Sequence, residues 1–166
     1  MMELTRQKPR IMSVVFSLIT LFLFLVGAAQ AATFCVSDAA GLHSALSQAA
    51  SNGEDDIIHI VQGTYVGNFI YASTEAFGVT IEGGYTTCAS REVDPANTVL
   101  DGDAAGNVLV LSCDQAVEFV VDGVTLQNGN ASNNGGGLFA NTDGGEVTLT
   151  NNTITGNSAG SCGGGV

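Results

Sequence analysis

The chain has 166 residues, 16 of them acidic against four lysines and arginines, for a formal net charge of −12. That balance excludes nucleic acid as a partner, because phosphate binding needs clustered Lys and Arg, and it disfavours unaided binding of polyanions. Residues 1 to 31 read as a secretory signal. Arg6, Lys8 and Arg10 form a basic start, Ile11 to Val26 is an apolar run, and Ala29-Gln30-Ala31 is an Ala-x-Ala cleavage site. Cleavage after Ala31 is expected rather than retention as an anchor, since the run falls short of the ~20 residues that span a bilayer. The mature chain then has no membrane span. It keeps fifteen acids and one base, Arg91, a formal charge of about −14. Its length suits one domain, residues 32–166.

Thr33-Phe34-Cys35-Val36 opens the mature chain as a strand. Ser37-Asp38 caps a helix, Leu42, Ala45, Leu46 and Ala49 follow at helical spacing, and Asn52-Gly53 stops it. A lone amphipathic helix within 32–53, ahead of a run of strands, covers the open apolar end of a stack. Glu54-Asp55-Asp56 is a charged turn. Short strands follow at Ile57 to Val61, ending in Gly63-Thr64-Tyr65, and at Phe69-Ile70-Tyr71, Val79-Thr80-Ile81, Thr98-Val99-Leu100 and Val108 to Leu111. Turns such as Gly83-Gly84, Asp101-Gly102 and Gly106-Asn107 join them. Thr86 to Ala96 is the longest excursion and holds Arg91. The pieces before residue 112 are irregular, and the sequence does not phase them.

From Glu118 onward the chain repeats. Glu118 to Leu126 aligns with Glu146 to Ile154, and Gly135-Gly136-Gly137-Leu138 aligns with Gly163-Gly164-Gly165-Val166, both at an offset of twenty-eight residues. Phe119 falls on Val147, Val121 on Leu149 and Leu126 on Ile154. Self-similarity at this period signals a solenoid. Each unit holds runs with a period of two, punctuated by Asn and Gly, with no helical period. Three short sides per turn, stacked ~4.8 Å apart, predict an all-β, right-handed parallel β-helix over 54–166 with the helical cap before it. Stacked Asn and Thr side chains are expected to form hydrogen-bond ladders. The chain stops in the first residue of a side, Val166, so a piece of a longer protein is expected.

The run Asn151-Asn152-Thr153-Ile154-Thr155-Gly156-Asn157, followed by Gly163-Gly164-Gly165, resembles the repeat of bacterial polymorphic outer-membrane proteins. That family pairs a Phe-x-x-Asn with a Gly-Gly-Ala or Gly-Gly-Ile. Here Ile154 replaces the Phe, and Leu126-Gln127-Asn128-Gly129 keeps the spacing without the final Asn. The wider resemblance is to the pectin-lyase-like superfamily, whose members also start with a capping helix. The resemblance implies an exported protein at the extracellular or outer-membrane surface of a bacterium.

Four cysteines allow three connectivities, in a compartment that permits disulfides. On the repeat, Cys162 stacks on Asn134 and Cys113 on Asn141, in different columns, which disfavours a Cys113–Cys162 bridge. Cys35–Cys88, tying the cap to the long excursion, is the preferred pair. Asp101, Asp103 and Asn107 share a glycine-bearing loop and are the candidate calcium ligands, although a solvated turn explains them equally and the set is short of what the ion normally takes. His43 on the helix and His59 on a strand lack partners at metal-ligand spacing. Asn130-Ala131-Ser132 and Asn151-Asn152-Thr153 match the glycosylation sequon but also serve as turn residues.

Two functions compete. One is a non-enzymatic surface scaffold or adhesin that binds surface glycans or cell-surface proteins. The other, implied by the pectin-lyase-like resemblance, is a lyase or hydrolase of uronic-acid polymers. Lyases of that type use carboxylate-bound calcium and a basic residue, and Arg91 is expected in a loop away from any acidic cluster. Hydrolases need two carboxylates at a set separation. Asp101, Asp103 and Asp122 qualify only by residue type. No catalytic residue is assigned, and the scaffold is preferred because a site must be argued independently of fold.

Overall fold

The computed structural model describes residues 31–166. The signal expected over 1–31 lies outside the described residues, apart from the exposed Ala31. The described chain is mainly β, with parallel sheets and one α-helix. In order come β1 (Thr33–Val36), α1 (Ala39–Ala49), β2 (Asp56–Val61), β3 (Gly63–Val66), β4 (Phe69–Ser73), β5 (Val79–Thr87) and β6 (Ser90–Arg91). A 3-10 turn (Pro95–Asn97) leads to β7 (Thr98–Asp101), β8 (Leu109–Cys113), β9 (Phe119–Asp122), β10 (Thr125–Gln127) and β11 (Asn130–Ala131). Then follow β12 (Leu138–Thr142), β13 (Val147–Thr150), β14 (Thr153–Thr155) and β15 (Ser158–Ala159).

The chain visits the sheets in rotation. One sheet runs β1-β2-β5-β9-β13, a second β3-β7-β10-β14, a third β4-β8-β12, and β11 pairs β15. All of these pairings are parallel; β6 lies antiparallel on β5, and an isolated antiparallel bridge joins Gly106 to Asn130. The twenty-eight-residue alignment is the pairing register: Phe119 lies beside Val147, Leu126 beside Ile154 and Asn130 beside Ser158. The pairings among earlier strands keep other offsets, as where Val99 lies beside Thr125 and Val79 beside Phe119. β8 meets β12 one residue later, so Cys113 lies beside Thr142 rather than Asn141. Gly63-Thr64-Tyr65, expected to close the first strand, is a separate strand that begins the second sheet.

Period-two alternation buries one side of the strands inside the stack, as in β2, β4, β7, β8 and β9. Ile58, Ile60, Ile81, Phe119, Val121, Leu100 and Leu126 are fully buried. Tyr65 and Tyr71 are buried with them because their hydroxyls donate to backbone carbonyls, Tyr65 to Val61 and Val36 and Tyr71 to Phe77. At the first rank, α1 covers the core. Asp38 caps it by accepting from the Gly41 N–H at 2.7 Å, and Leu42, Ala45, Leu46 and Ala49 face β1, β2 and β4. Cys35 and Cys88 form a disulfide, with Cα atoms 5.6 Å apart, that ties β1 to the end of β5. Such bonds persist in oxidising compartments. Cys113 is free and buried, and Cys162 is free and exposed.

The corners carry the polar content of the core. Asn68 donates to the carbonyls of Ala105 and Asn107, Asn107 to those of Asn134 and Gly135, and Asn134 accepts from the Cys162 N–H. Asn152 and Asn157 each bridge two backbone groups of the preceding turn, Val124 and Val121 for one and Gly129 and Leu126 for the other. Left-handed backbone recurs at matching positions, in Gly123 and Asn151, Asn128 and Gly156, and Gly135 and Gly163. At Gly136 space also matters, since a Cβ there would collide with the carbonyls of Ser158 and Gly164.

Burial depends on stacking rather than residue type. Val121 is 0% exposed, whereas its column neighbour Leu149 is 37% exposed. Leu126→Ala should therefore cost about 2–5 kcal/mol, and Leu149→Ala less than about 1 kcal/mol. Urea unfolding of the two variants checks this; equal losses would show that Leu149 is packed as deeply as Leu126.

Candidate functional site

The densest set of interacting titratable groups lies on the outer face of the first sheet. In-register pairing puts Cys35, His59, Glu82, Asp122 and Thr150 in one column across β1, β2, β5, β9 and β13. Arg91 reaches this column because the excursion after β5 folds back as β6, with Arg91 opposite Tyr85. The loop expectation for Arg91, away from acidic groups, is therefore corrected. The disulfide at Cys88 and the antiparallel pairing return the chain across the sheet, a long-range consequence that no local pattern carries.

Arg91 lies between two carboxylates. Its Nη1 is 3.1 Å from Glu82 Oε1 and its Nη2 is 2.5 Å from Asp122 Oδ2. Nε donates to the Gly83 carbonyl and Nη2 also to the Asp122 carbonyl. Tyr85 donates from its hydroxyl to Glu82 Oε2 at 2.6 Å. Burial, then the hydrogen bond to Glu82 and the Glu82 charge, push the Tyr85 phenol up to about 12. His59 stacks on Tyr85 with ring centroids 4.0 Å apart, and its Nε2 is 3.5 Å from Glu82 Oε2. Thr150 and Asn151 both donate to Asp122 Oδ1 at 2.7 Å. Desolvation pushes the Asp122 carboxyl up, but those hydrogen bonds and the Arg91 contact outweigh it and hold the group below its ordinary value.

Chemically, the cluster is closed. The sole Lys or Arg of the described residues is held by two carboxylates and two carbonyls. To act as a base Arg91 would first have to give up its own proton, which would leave both carboxylates without their counter-ion, and a guanidinium resists deprotonation. The cluster is better built to bind adjacent turns together than to turn over a substrate.

The candidate calcium residues fall into two places. Asp101 and Asp103 line an open cavity of about 470 Å³ with Asn128, Asn130 and Ser158. Asp101 accepts from Gln127, Asn128 and the Asp103 N–H. Gln127, then the Asp103 N–H, lower its pKa against a small desolvation effect, with Asn128 adding to the lowering. Asn107 lines a different cavity, with Val110 and Phe139, and gives its amide to Asn134 and Gly135. Among the described residues, no three acidic, His or Cys groups converge as a metal site. His43 lies exposed on α1 with its ring 4.8 Å from that of Phe69.

Sequence reasoning missed Asp56. Expected in a solvated turn, it is the first residue of β2 and only 1% exposed. The buried side of β2 runs Asp56, Ile58, Ile60, and that period-two phase was the available signal. Asn52 donates to its Oδ1 at 3.0 Å, while Oδ2 has no hydrogen-bond partner. Burial raises its pKa, and the neighbouring Asp55 adds to the rise.

Comparison with protein-family models, curated proteins and solved structures found no match. Among the described residues, no helix is long and apolar enough to cross a membrane.

Two measurements test this electrostatic description. Arg91→Ala should cost about 1–3 kcal/mol of stability, because it strands two part-buried carboxylates. Arg91→Lys should recover only part of that loss, since an ammonium cannot reproduce the planar fork; full recovery in chemical unfolding would reduce the cluster to a simple charge contact. The second is the pH dependence of Tm. Asp122, with its lowered pKa, contributes stability above the ordinary aspartate range and loses it as pH falls through the folded value. Asp56 has the opposite sign: its contribution is present below that range and is lost as pH rises through the raised folded value. Asp56→Asn should therefore raise Tm at neutral pH, with the advantage shrinking on acidification.

Proposed function

We propose that the parallel sheets are the sides of a right-handed β-helix, and that the protein is an exported surface scaffold that binds through the outer faces of its turns. Its partners on this reading are surface glycans or cell-surface proteins. The observation that carries the reading is the sequestration of Arg91 by Glu82 and Asp122, which leaves the only cation of the described chain without a free role in chemistry. The repeated outward columns and the Cys35–Cys88 disulfide support a rigid, export-compatible platform. The repeat resemblance to polymorphic outer-membrane proteins points the same way.

A second reading has one observation in its favour. Arg91 does lie on a sheet face beside two acidic residues, an arrangement that a uronic-acid lyase or hydrolase could use. Incubation with polygalacturonate, with and without calcium, separates the readings. The scaffold predicts neither ultraviolet-absorbing unsaturated product nor new reducing ends. Release of either, abolished in Arg91→Ala while the variant remains folded by circular dichroism, would establish the enzyme instead.

A further inference from the structure

The outer face of the third sheet differs from the other outer faces. Parallel pairing stacks Ile70 of β4, Val110 of β8 and Phe139 of β12 in one column. Their strand neighbours Phe69, Tyr71, Leu109, Leu111 and Leu138 are buried, so this column points outward. Ile70 is 54% exposed and Phe139 36%. Outward columns elsewhere carry polar groups, as with Glu82, Asp122 and Thr150 in the first sheet and Asp101, Gln127 and Thr155 in the second. An outward row that is apolar at each rank marks a surface for a partner.

Val110 and Phe139 also line a cavity of about 480 Å³, together with Asn107, Asn133, Asn134 and Ser161. Small-ligand sites have this size and make-up, an apolar wall with a few polar groups. The lining narrows the occupant. It holds no ionisable side chain, although the chain carries a net charge of −12. A charged ligand would lose hydration there with nothing to answer its charge. A wholly apolar ligand fails for the opposite reason. The side chains of Asn133, Asn134 and Ser161 are exposed. Asn134 commits its Oδ1 to the Cys162 N–H, while its NH2 group donates to nothing among the described residues. Hydrocarbon laid over these groups would strand them. An uncharged sugar ring meets both demands: its hydroxyls reach the amides, and its C–H faces lie on aromatic and aliphatic side chains. The column extends this wall past one ring, because neighbouring strands lie ~4.8 Å apart, close to the length of one pyranose. Glucose rings in β-1,4 linkage form a flat ribbon with C–H groups on both faces, which suits such a row.

We propose that the Ile70–Val110–Phe139 column, with the Asn133 and Asn134 amides beside it, binds an uncharged β-1,4-linked glucan chain. The glucan lies across successive turns, with one ring stacked on Phe139. This deepens the binding-scaffold reading and rests on it, by naming the ligand class and the face that takes it.

The test is affinity electrophoresis of the intact mature protein in native gels containing hydroxyethyl cellulose, an uncharged soluble β-1,4-glucan. The wild-type protein should be retarded. Phe139→Ala should weaken the affinity about tenfold, and Asn133→Ala, at an exposed position that the fold does not need, about threefold. Val66→Ala, a truncation of an exposed apolar side chain on the second sheet, should change it less than about twofold. Circular dichroism checks that each variant is folded. No retardation of the wild type, or retardation that Phe139→Ala and Asn133→Ala both leave intact, would overturn the proposal. A dimer in sedimentation that Phe139→Ala dissolves would overturn it in favour of a second copy of this chain. Polygalacturonate in the gel should retard the protein less than the glucan does; equal or stronger retardation would overturn the assignment of an uncharged ligand. None of these outcomes bears on polygalacturonate cleavage, so failure of the glucan site is distinguishable from failure of the scaffold reading.

Discussion

Parallel pairing between successive passes of the chain is the constraint on which the rest depends. Each strand's N–H and C=O groups are satisfied by the pass before and the pass after, so whatever one pass places at a position, the next must stack upon it. Phe119 on Val147 and Leu126 on Ile154 are consequences of that rule. The same rule places Asp122 between Glu82 and Thr150 on the outer side. Inward columns become a continuous apolar core. Outward columns become rows of like or matched polar groups.

Corners must satisfy the same rule with backbone that is not in strands. Asparagine does this where a side-chain amide can replace a missing ladder partner, as Asn107, Asn152 and Asn157 do. Glycine does it where the next pass comes too close for a Cβ, as at Gly136. The period can stretch where a corner allows: β8 to β12 takes one extra residue, and the stretch after β5 folds back on it as the antiparallel β6 before β7 rejoins the stack.

That excursion supplies the one lysine or arginine of the described residues, and its position divides the charge of the first sheet. The end near Arg91 is a closed network of two carboxylates, a phenol and a guanidinium. The opposite end carries the remaining acids of the sheet and a buried carboxylate with an unsatisfied oxygen. A closed network of this kind holds neighbouring strands together. The binding-scaffold reading rests on the closed network around Arg91 more than on the architecture, since a fold alone does not specify an activity.

By itself the sequence determined the mainly β class, a helix within 32–53, the pairing register after Glu118 and the Asn and Gly corners. It could do so because each rests on a local period or a local turn preference repeated at a set offset. It also favoured Cys35–Cys88 as a tie between the cap and the long excursion. Only the tertiary structure decided where Arg91 goes, since that depends on an excursion folding back across the sheet. It alone separated Asn107 from Asp101 and Asp103, because a loop shared in sequence is divided in space once Asn107 bonds to the following turn. It alone revealed the burial of Asp56, where the pleat of β2 carried the last residue of an acidic run to the inner side. Register is a property of periods and can be read in one dimension; the company a side chain keeps depends on returns of the chain that no period records.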